Sequence, residues 1–216
     1  MLGLLFAGCA EEAEEAKETE AFDPTVSVYQ RICAACHGVN GEGKDELFSP
    51  SIAGLPEWYL VEQLEKFRDG SRGAHPEDVP GAQMRAIGLA LSDEQIAEAA
   101  RTVSAMPSIP TEAPPESADL DFGRRLYANE CMACHRYNGT GDAVFHSSPL
   151  VSLNRAYLER QMLNYRSGIR GAAPGDLYGQ KMVEVTERMS DEEIQAAVDY
   201  IGALAHGDDP RPERER

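Results

Sequence analysis

No run of this chain is both long and apolar enough to cross a bilayer as a helix. The apolar start, MLGLLFAG, is too short, because eight helical residues rise only about 12 Å. Basic charge is also scarce. Lys and Arg number 20 against 37 Asp and Glu, for a formal net charge of -17. Nucleic-acid phosphates would repel such a chain, which argues against that class of partner. The same charge favours partners whose docking patch is basic. Convincing strand-like alternation is missing, and this points to an all-α fold. Cysteine is limited to five residues: Cys9, Cys33, Cys36, Cys131 and Cys134. Apolar content is ordinary, so a folded core is expected.

What is present is a repeat. Sliding the sequence by 98 residues aligns it on itself without a gap. Cys33, Cys36 and His37 fall on Cys131, Cys134 and His135. Asn40, Gly41 and Gly43 fall on Asn138, Gly139 and Gly141. Tyr59, Leu60 and Gln63 fall on Tyr157, Leu158 and Gln161. Arg68 and Arg72 fall on Arg166 and Arg170, and Met84 on Met182. A duplicated domain follows.

The expected layout is residues 22–106 for the first domain and 119–206 for the second. PSIPTEAPPESA, residues 107–118, reads as a Pro-rich extended linker. Residues 1–9 resemble the end of a secretion signal whose basic start is missing, with Phe-Ala-Gly before Cys9 as a lipoprotein cleavage site. Cleavage there makes Cys9 a lipidated N-terminus, holding the protein to the bacterial cytoplasmic membrane on its periplasmic side. Residues 10–21 form an acidic tether, and 207–216 a tail.

Three helices are expected in each copy. The first runs over 25–35 or 120–133, the second over 57–67 or 155–165. The last begins at Ser92 or Ser190, where Gln95 or Glu193 completes a capping box. Gly- and Pro-rich loops fill the space between them.

Cys-x-x-Cys-His occurs twice, as CAACH and CMACH. Such a pentapeptide serves as a thiol redox site, as part of a zinc site, or as the attachment point of a c-type haem. The redox reading wants a βαβ context, which is absent. The zinc reading wants a second ligand pair close by, and each copy has one CxxC. On a helix, two Cys three apart share a face with the following residue. They can bond the two vinyl groups of one haem while His37 or His135 reaches the iron. Two covalently bound haem c groups are therefore expected.

A true sixth ligand should recur in the repeat. Met84 and Met182 do, each 47 residues after its His. Met106, Met132, Met162 and Met189 face Leu204, Ala34, Leu64 and Leu91, and read as core. His75 and His146 face Ala173 and Phe48, and read as surface. Ligand pairs His37/Met84 and His135/Met182 follow. A thioether in the sixth position raises the potential and leaves little room for substrate. This favours a carrier over an enzyme.

Arg68, Arg72, Arg166 and Arg170 are candidate donors to the haem propionates. Tyr59, Tyr157 and Trp58 are candidates for packing on the ring or donating to a propionate. Pro50 and Pro149 precede the second helix and are candidates to offer a carbonyl to the proximal His, although they are offset by one residue between copies.

On these residues the chain resembles the dihaem class I cytochromes c of the c-four type. The resemblance rests on CAACHGVNGEG, on PSIAG with the YL, QL and FRDGSRG run, on Met84 with LSDEQIAEAA, and on their counterparts. It covers about residues 26–206. It implies two cytochrome c domains with their propionate edges near the domain interface. It also implies electron transfer in the periplasm, from a quinol-oxidising complex and toward a terminal oxidase. The alternative is an electron-transfer subunit of a larger oxidoreductase. A haem peroxidase is disfavoured, since neither copy offers a recurring distal His or Glu. The second copy departs from the pattern: Arg136 stands where the first has Gly38, and SSPLVSLN has its Pro one residue late.

Overall fold

A computed structural model describes residues 26–208. Cys9, the acidic tether, the start of the first expected helix and the end of the tail lie outside the described residues. The described chain is helical, with two isolated bridges, Lys44 to Ser49 and Asp142 to Ser147, that are repeats of each other.

A π-helical turn at Tyr29–Cys33 runs straight into α1, Ala34–His37. The first domain continues with α2 at Glu57–Asp69, α3 at Val79–Ala90 and α4 at Asp93–Ser104. The second has α5 at Leu120–Glu130, α6 at Met132–His135, α7 at Arg155–Arg166, α8 at Leu177–Thr186 and α9 at Asp191–His206. Sequence signals fix several of these ends. Ser92 and Ser190 make the expected capping boxes with Gln95 and Glu193. Asp119 caps α5 through the Phe122 amide.

α3 and α8 were not expected, since their segments read as loops. Asp78 and Asp176 cap them through the amides of Gly81 and Gly179, at 3.0 and 3.1 Å. Pro80 in the first turn of α3 is compatible with a helix start, because its missing N–H needs no partner there. The loop reading gave Pro and Gly their average meaning rather than this positional one.

One apolar cluster runs through both domains. Tyr29, Leu55, Tyr59 and Val103 of the first join Tyr127, Leu153, Tyr157 and Ile194 of the second. Met162 and Met189 are buried in it and Met106 packs against it. Met132 is instead exposed, which corrects its reading as core. α5 crosses α9 closely at Gly123, where an added Cβ would sit 2.4 Å from the Ala196 carbonyl oxygen. The 107–118 segment carries no helix or strand and is docked on the second domain. Thr111 is fully buried there. Its amide and hydroxyl donate to the Val151 and Leu150 carbonyls at 2.9 and 3.0 Å. His206 bonds the Thr111 carbonyl at 3.0 Å. Among the described residues no helix is long and apolar enough to cross a membrane.

Candidate haem-binding sites

Each copy builds a cavity over its pentapeptide. The first encloses about 900 Å³ and is lined by Cys33, Cys36, His37 and Met84 among others. The second encloses about 140 Å³ and is lined by Cys131, Cys134, His135 and Met182. The 98-residue repeat thus places the same four residue types around both. No disulfide joins these four cysteines. Burial pushes Cys33 up to about 11 and Cys131 up to about 12. Neither is an activated thiolate of the kind a thiol switch needs. Among the described residues no three His, Cys, Asp or Glu gather to hold a metal ion. A zinc site therefore has no donor set, whereas vinyl addition at two thiols has its two partners on one short helix.

Both proximal histidines are buried and fixed through one ring nitrogen. His37 Nδ1 lies 2.9 Å from the Pro50 carbonyl oxygen, as expected. His135 Nδ1 lies 2.9 Å from that of Ser148, not Pro149. The backbone keeps the 98-residue register here, so the carbonyl is conserved in place while Pro has slid by one. In each case Nδ1 donates, which leaves the Nε2 lone pair free to bind a metal. Desolvation lowers both imidazoles below their ordinary range and keeps them neutral, the form that coordinates iron.

Two tyrosines that sequence reasoning missed lock the chain just after each His. Tyr29 donates to the Gly38 carbonyl at 2.5 Å and Tyr127 to that of Arg136 at 2.7 Å. Both rings are 1% exposed. They are themselves 98 residues apart, so the repeat held the signal. The locked residues have positive φ, 83° at Gly38 and 67° at Arg136. Arg136 bonds Asp142 through Nε and Nη2 at 2.9 and 2.8 Å.

Met84 and Met182 sit on α3 and α8, which bring them to the cavities that His37 and His135 line. Arg68 and Arg166 stay away from both cavities, against expectation. Arg68 donates to the Gly88 and Leu91 carbonyls at 3.1 and 2.8 Å and pairs with Asp93 at 2.5 Å. Arg166 donates to the Met189 carbonyl at 3.1 Å and pairs with Asp191 at 2.6 Å. Each therefore staples the end of the Met-bearing helix to the start of the last helix. These positions recur because the staple recurs.

Arg72 and Arg170 do reach the cavities, and they do so together. Tyr59, Gln63, Arg72, Tyr157 and Gln161 line both. Arg72 donates to Gln63 at 2.8 Å, to Gln161 at 3.2 Å and to the Tyr157 hydroxyl at 2.5 Å. Arg170 mirrors it, donating to Gln161 at 2.8 Å and Gln63 at 3.1 Å. Each Arg thus bonds the Gln of its own domain and that of the other. Burial and the neighbouring Tyr157 push Tyr59 up to about 12. Burial also raises Tyr157, but Arg72 and Arg170 outweigh it and hold that phenol below its ordinary range. No ion pair links Arg72 or Arg170 to a carboxylate among the described residues. Two guanidiniums without carboxylates, Arg72 on the wall of both cavities and Arg170 in the second, suit a ligand that brings its own. The residues fit haem: two thiols for its vinyl groups, a neutral imidazole and a thioether in each cavity, and cations that would pair with propionates. Trp58 stands outside the cavities, edge-on to Tyr59 with ring centroids 5.7 Å apart.

Further contacts close the domain interface. Lys66 reaches Asp176 at 3.1 Å, and His146, exposed as expected, bonds Glu62 at 2.8 Å. Asn154 accepts the Ser51 amide at 3.1 Å and donates to Asp45 at 2.6 Å.

The family model described as cytochrome c matches residues 25–101 and 120–205. The thiosulfate dehydrogenase electron acceptor of Stutzerimonas stutzeri is 33% identical over 178 residues, covering 78% of this chain and 77% of that one. Cytochrome c4 of the same species is 30% identical over 211 residues, covering 93% and 96%. The crystal structure of reduced recombinant cytochrome c4 from Pseudomonas stutzeri superposes with a TM-score of 0.64 at 30% identity, covering 79% of this chain and 92% of that one.

Proposed function

The chain belongs to the cytochrome c family, and from that we propose that it is a dihaem electron carrier whose two irons are held by His37/Met84 and His135/Met182. The two domains carry covalently attached haem c and work in electron transfer. When bound, haem supplies a one-electron iron couple. The chain supplies the rest. Cys33, Cys36, Cys131 and Cys134 anchor the rings. The Pro50 and Ser148 carbonyls orient the imidazoles and raise their basicity. Met84 and Met182 would each give the bound iron a thioether, which would raise the potentials and leave little room for substrate.

One observation carries this reading: the two cavities share a wall built by Tyr59, Gln63, Arg72, Tyr157 and Gln161. Two redox centres behind one wall can exchange electrons within the molecule. Arg72 on that wall would offer a cationic donor to both sets of propionates, and Arg170 one to the second set. We place the protein on the periplasmic side of the bacterial membrane, tethered through a lipid on Cys9, between a quinol-oxidising complex and a terminal oxidase. The net charge of -17 supports donors and acceptors with basic docking patches. A second reading is favoured by the relative that serves as electron acceptor of a thiosulfate dehydrogenase. On that reading the chain is the electron-transfer subunit of a larger oxidoreductase.

A spectroscopic redox titration of the purified holoprotein tests the carrier role. Two one-electron steps between low-spin states are expected, with a weak far-red Met–iron band when oxidised. A high-spin resting iron or rapid peroxide turnover would contradict it. Isolation from the native membrane separates the two readings by what copurifies. Mass spectrometry of the mature chain tests the tether, through a diacylglycerol adduct on Cys9.

A further inference from the structure

The repeat allows the openings of the two cavities to be compared position by position. Residues that both line the first cavity and reach solvent include Cys36, Glu46, Leu47, Phe48, Val79 and Gln83. In the second cavity they are Glu130, Phe145, His146 and Lys181. Apolar character is kept between copies, since Leu47 corresponds to Phe145 and Val79 to Leu177. Val79 at the first mouth and Phe145 at the second are 63% and 45% exposed, so both mouths offer uncovered apolar surface.

The charge around that centre is not kept. The first mouth is flanked by Asp45, Glu46 and Glu77, all exposed. Their repeats are Ala143, Val144 and Gly175. Gln83 is replaced by Lys181 in the same comparison. Asp45 is spoken for by Asn154. Glu46 and Glu77 form no ion pair among the described residues. Two cations are nearby: Lys44 is folded back on α1, donating to the Ala35 carbonyl at 2.7 Å, and Arg160 donates to the Phe48 carbonyl at 2.7 Å. Glu130 at the second mouth is opposed by Arg188 at 3.5 Å. The first mouth therefore carries three acids beside its apolar residues, and the second keeps none of those three, its one exposed lining acid being opposed by Arg188.

We propose that the two mouths are different docking faces, and that the first takes a protein whose own apolar contact is ringed by Lys or Arg. The proposal rests on reading the cavities as haem sites. Electrostatic complementarity of this kind selects partners and orients encounter more than it adds raw affinity. With one face selective for basic rims and the other not, donor and acceptor do not compete for one surface.

The probe is a mitochondrial-type monohaem cytochrome c whose haem edge is ringed by lysines. It is titrated into the isotope-labelled, fully reduced holoprotein at low ionic strength. Amide shifts are expected at Leu47, Phe48, Val79 and Gln83, fading as salt is added. The Glu46→Gln/Glu77→Gln variant should bind about tenfold more weakly. A Val144→Glu/Lys181→Gln variant should gain a second footprint around Phe145 and Leu177. Shifts centred on Phe145, His146 and Lys181 in the parent protein would overturn the proposal, as would unchanged affinity in the first variant. If the low-spin spectrum holds while the footprint fails, only this inference falls. If the spectrum itself fails, the haem reading falls first.

Discussion

Arg72 of the first domain donates to the Tyr157 hydroxyl of the second at 2.5 Å, and the pair forms part of the wall that both cavities share. Arg72 also bonds a Gln from each domain. One side chain is thus a joint between domains and a cation beside both haem sites. Arg72→Gln should cost about 1–3 kcal/mol, because it leaves the buried Tyr157 hydroxyl without its donor and each Gln with Arg170 alone. It should also lower both midpoint potentials, since a lost positive charge favours the oxidised iron. A shift confined to one haem would show that the wall is not shared. The double variant with Tyr157→Phe should cost less than the sum of the two single changes.

Alkaline stability follows from the tyrosines. Burial pushes Tyr29 and Tyr59 up to about 12 and raises Tyr127 as well. In the unfolded chain each phenol ionises near pH 10. A raised folded pKa gives stability that is complete below pH 10 and is lost as pH climbs toward the folded value. Denaturant midpoints should therefore hold up to about pH 10, with Tyr157, whose lowered folded pKa favours the native state as pH rises, offsetting part of the loss beyond it. They should fall steeply above it, together with the appearance of the phenolate band. A decline beginning near neutrality would point to other groups.

Much of this was legible beforehand. The repeat set Met84 and Met182, which line the two cavities, apart from Met132, which faces Ala34 and lies exposed. It misled at Arg68 and Arg166, where recurrence reflects a helix staple rather than a propionate contact. Recurrence marks what two folds need in common, and architecture is needed as much as chemistry. The π-helical turn before α1 and the docking of residues 107–118 depend on long-range packing, as with Thr111 under Val151. Local pattern carries no trace of such contacts. Tyr29 and Tyr127 could have been found by asking which aromatics keep the same offset.

The staple can be separated from the wall by substitution. Arg68→Gln removes two bonds to the α3–α4 junction and a pair with Asp93. About 1–3 kcal/mol of stability should go, with the far-red Met band weakening at lower temperature than in the parent. Midpoint potentials at room temperature should move less than in Arg72→Gln. Equal shifts in the two variants would return Arg68 to the haem environment.

Arg136 occupies a backbone region that suits glycine, with φ 67° and ψ 162°. Such a position costs a side-chain-bearing residue on the order of 1–3 kcal/mol. Its exposed pair with Asp142 returns on the order of 0.2–1 kcal/mol. Arg136→Gly should therefore stabilise the protein by about 1 kcal/mol. The reverse test, Gly38→Ala, should destabilise it, because the new Cβ would meet the Glu42 carboxylate at 2.3 Å. Thermal melts of both holoproteins check the signs.

The central claim is that each haem iron is held by a His from the pentapeptide helix and a Met from α3 or α8. It is tested most directly by Met84→Ala and Met182→Ala, read by midpoint potential and by carbon monoxide binding to the reduced protein. Each variant should lower one potential, lose half of the far-red band and bind one carbon monoxide per molecule, while the parent binds none. Variants that keep both potentials and stay closed to carbon monoxide would contradict the account.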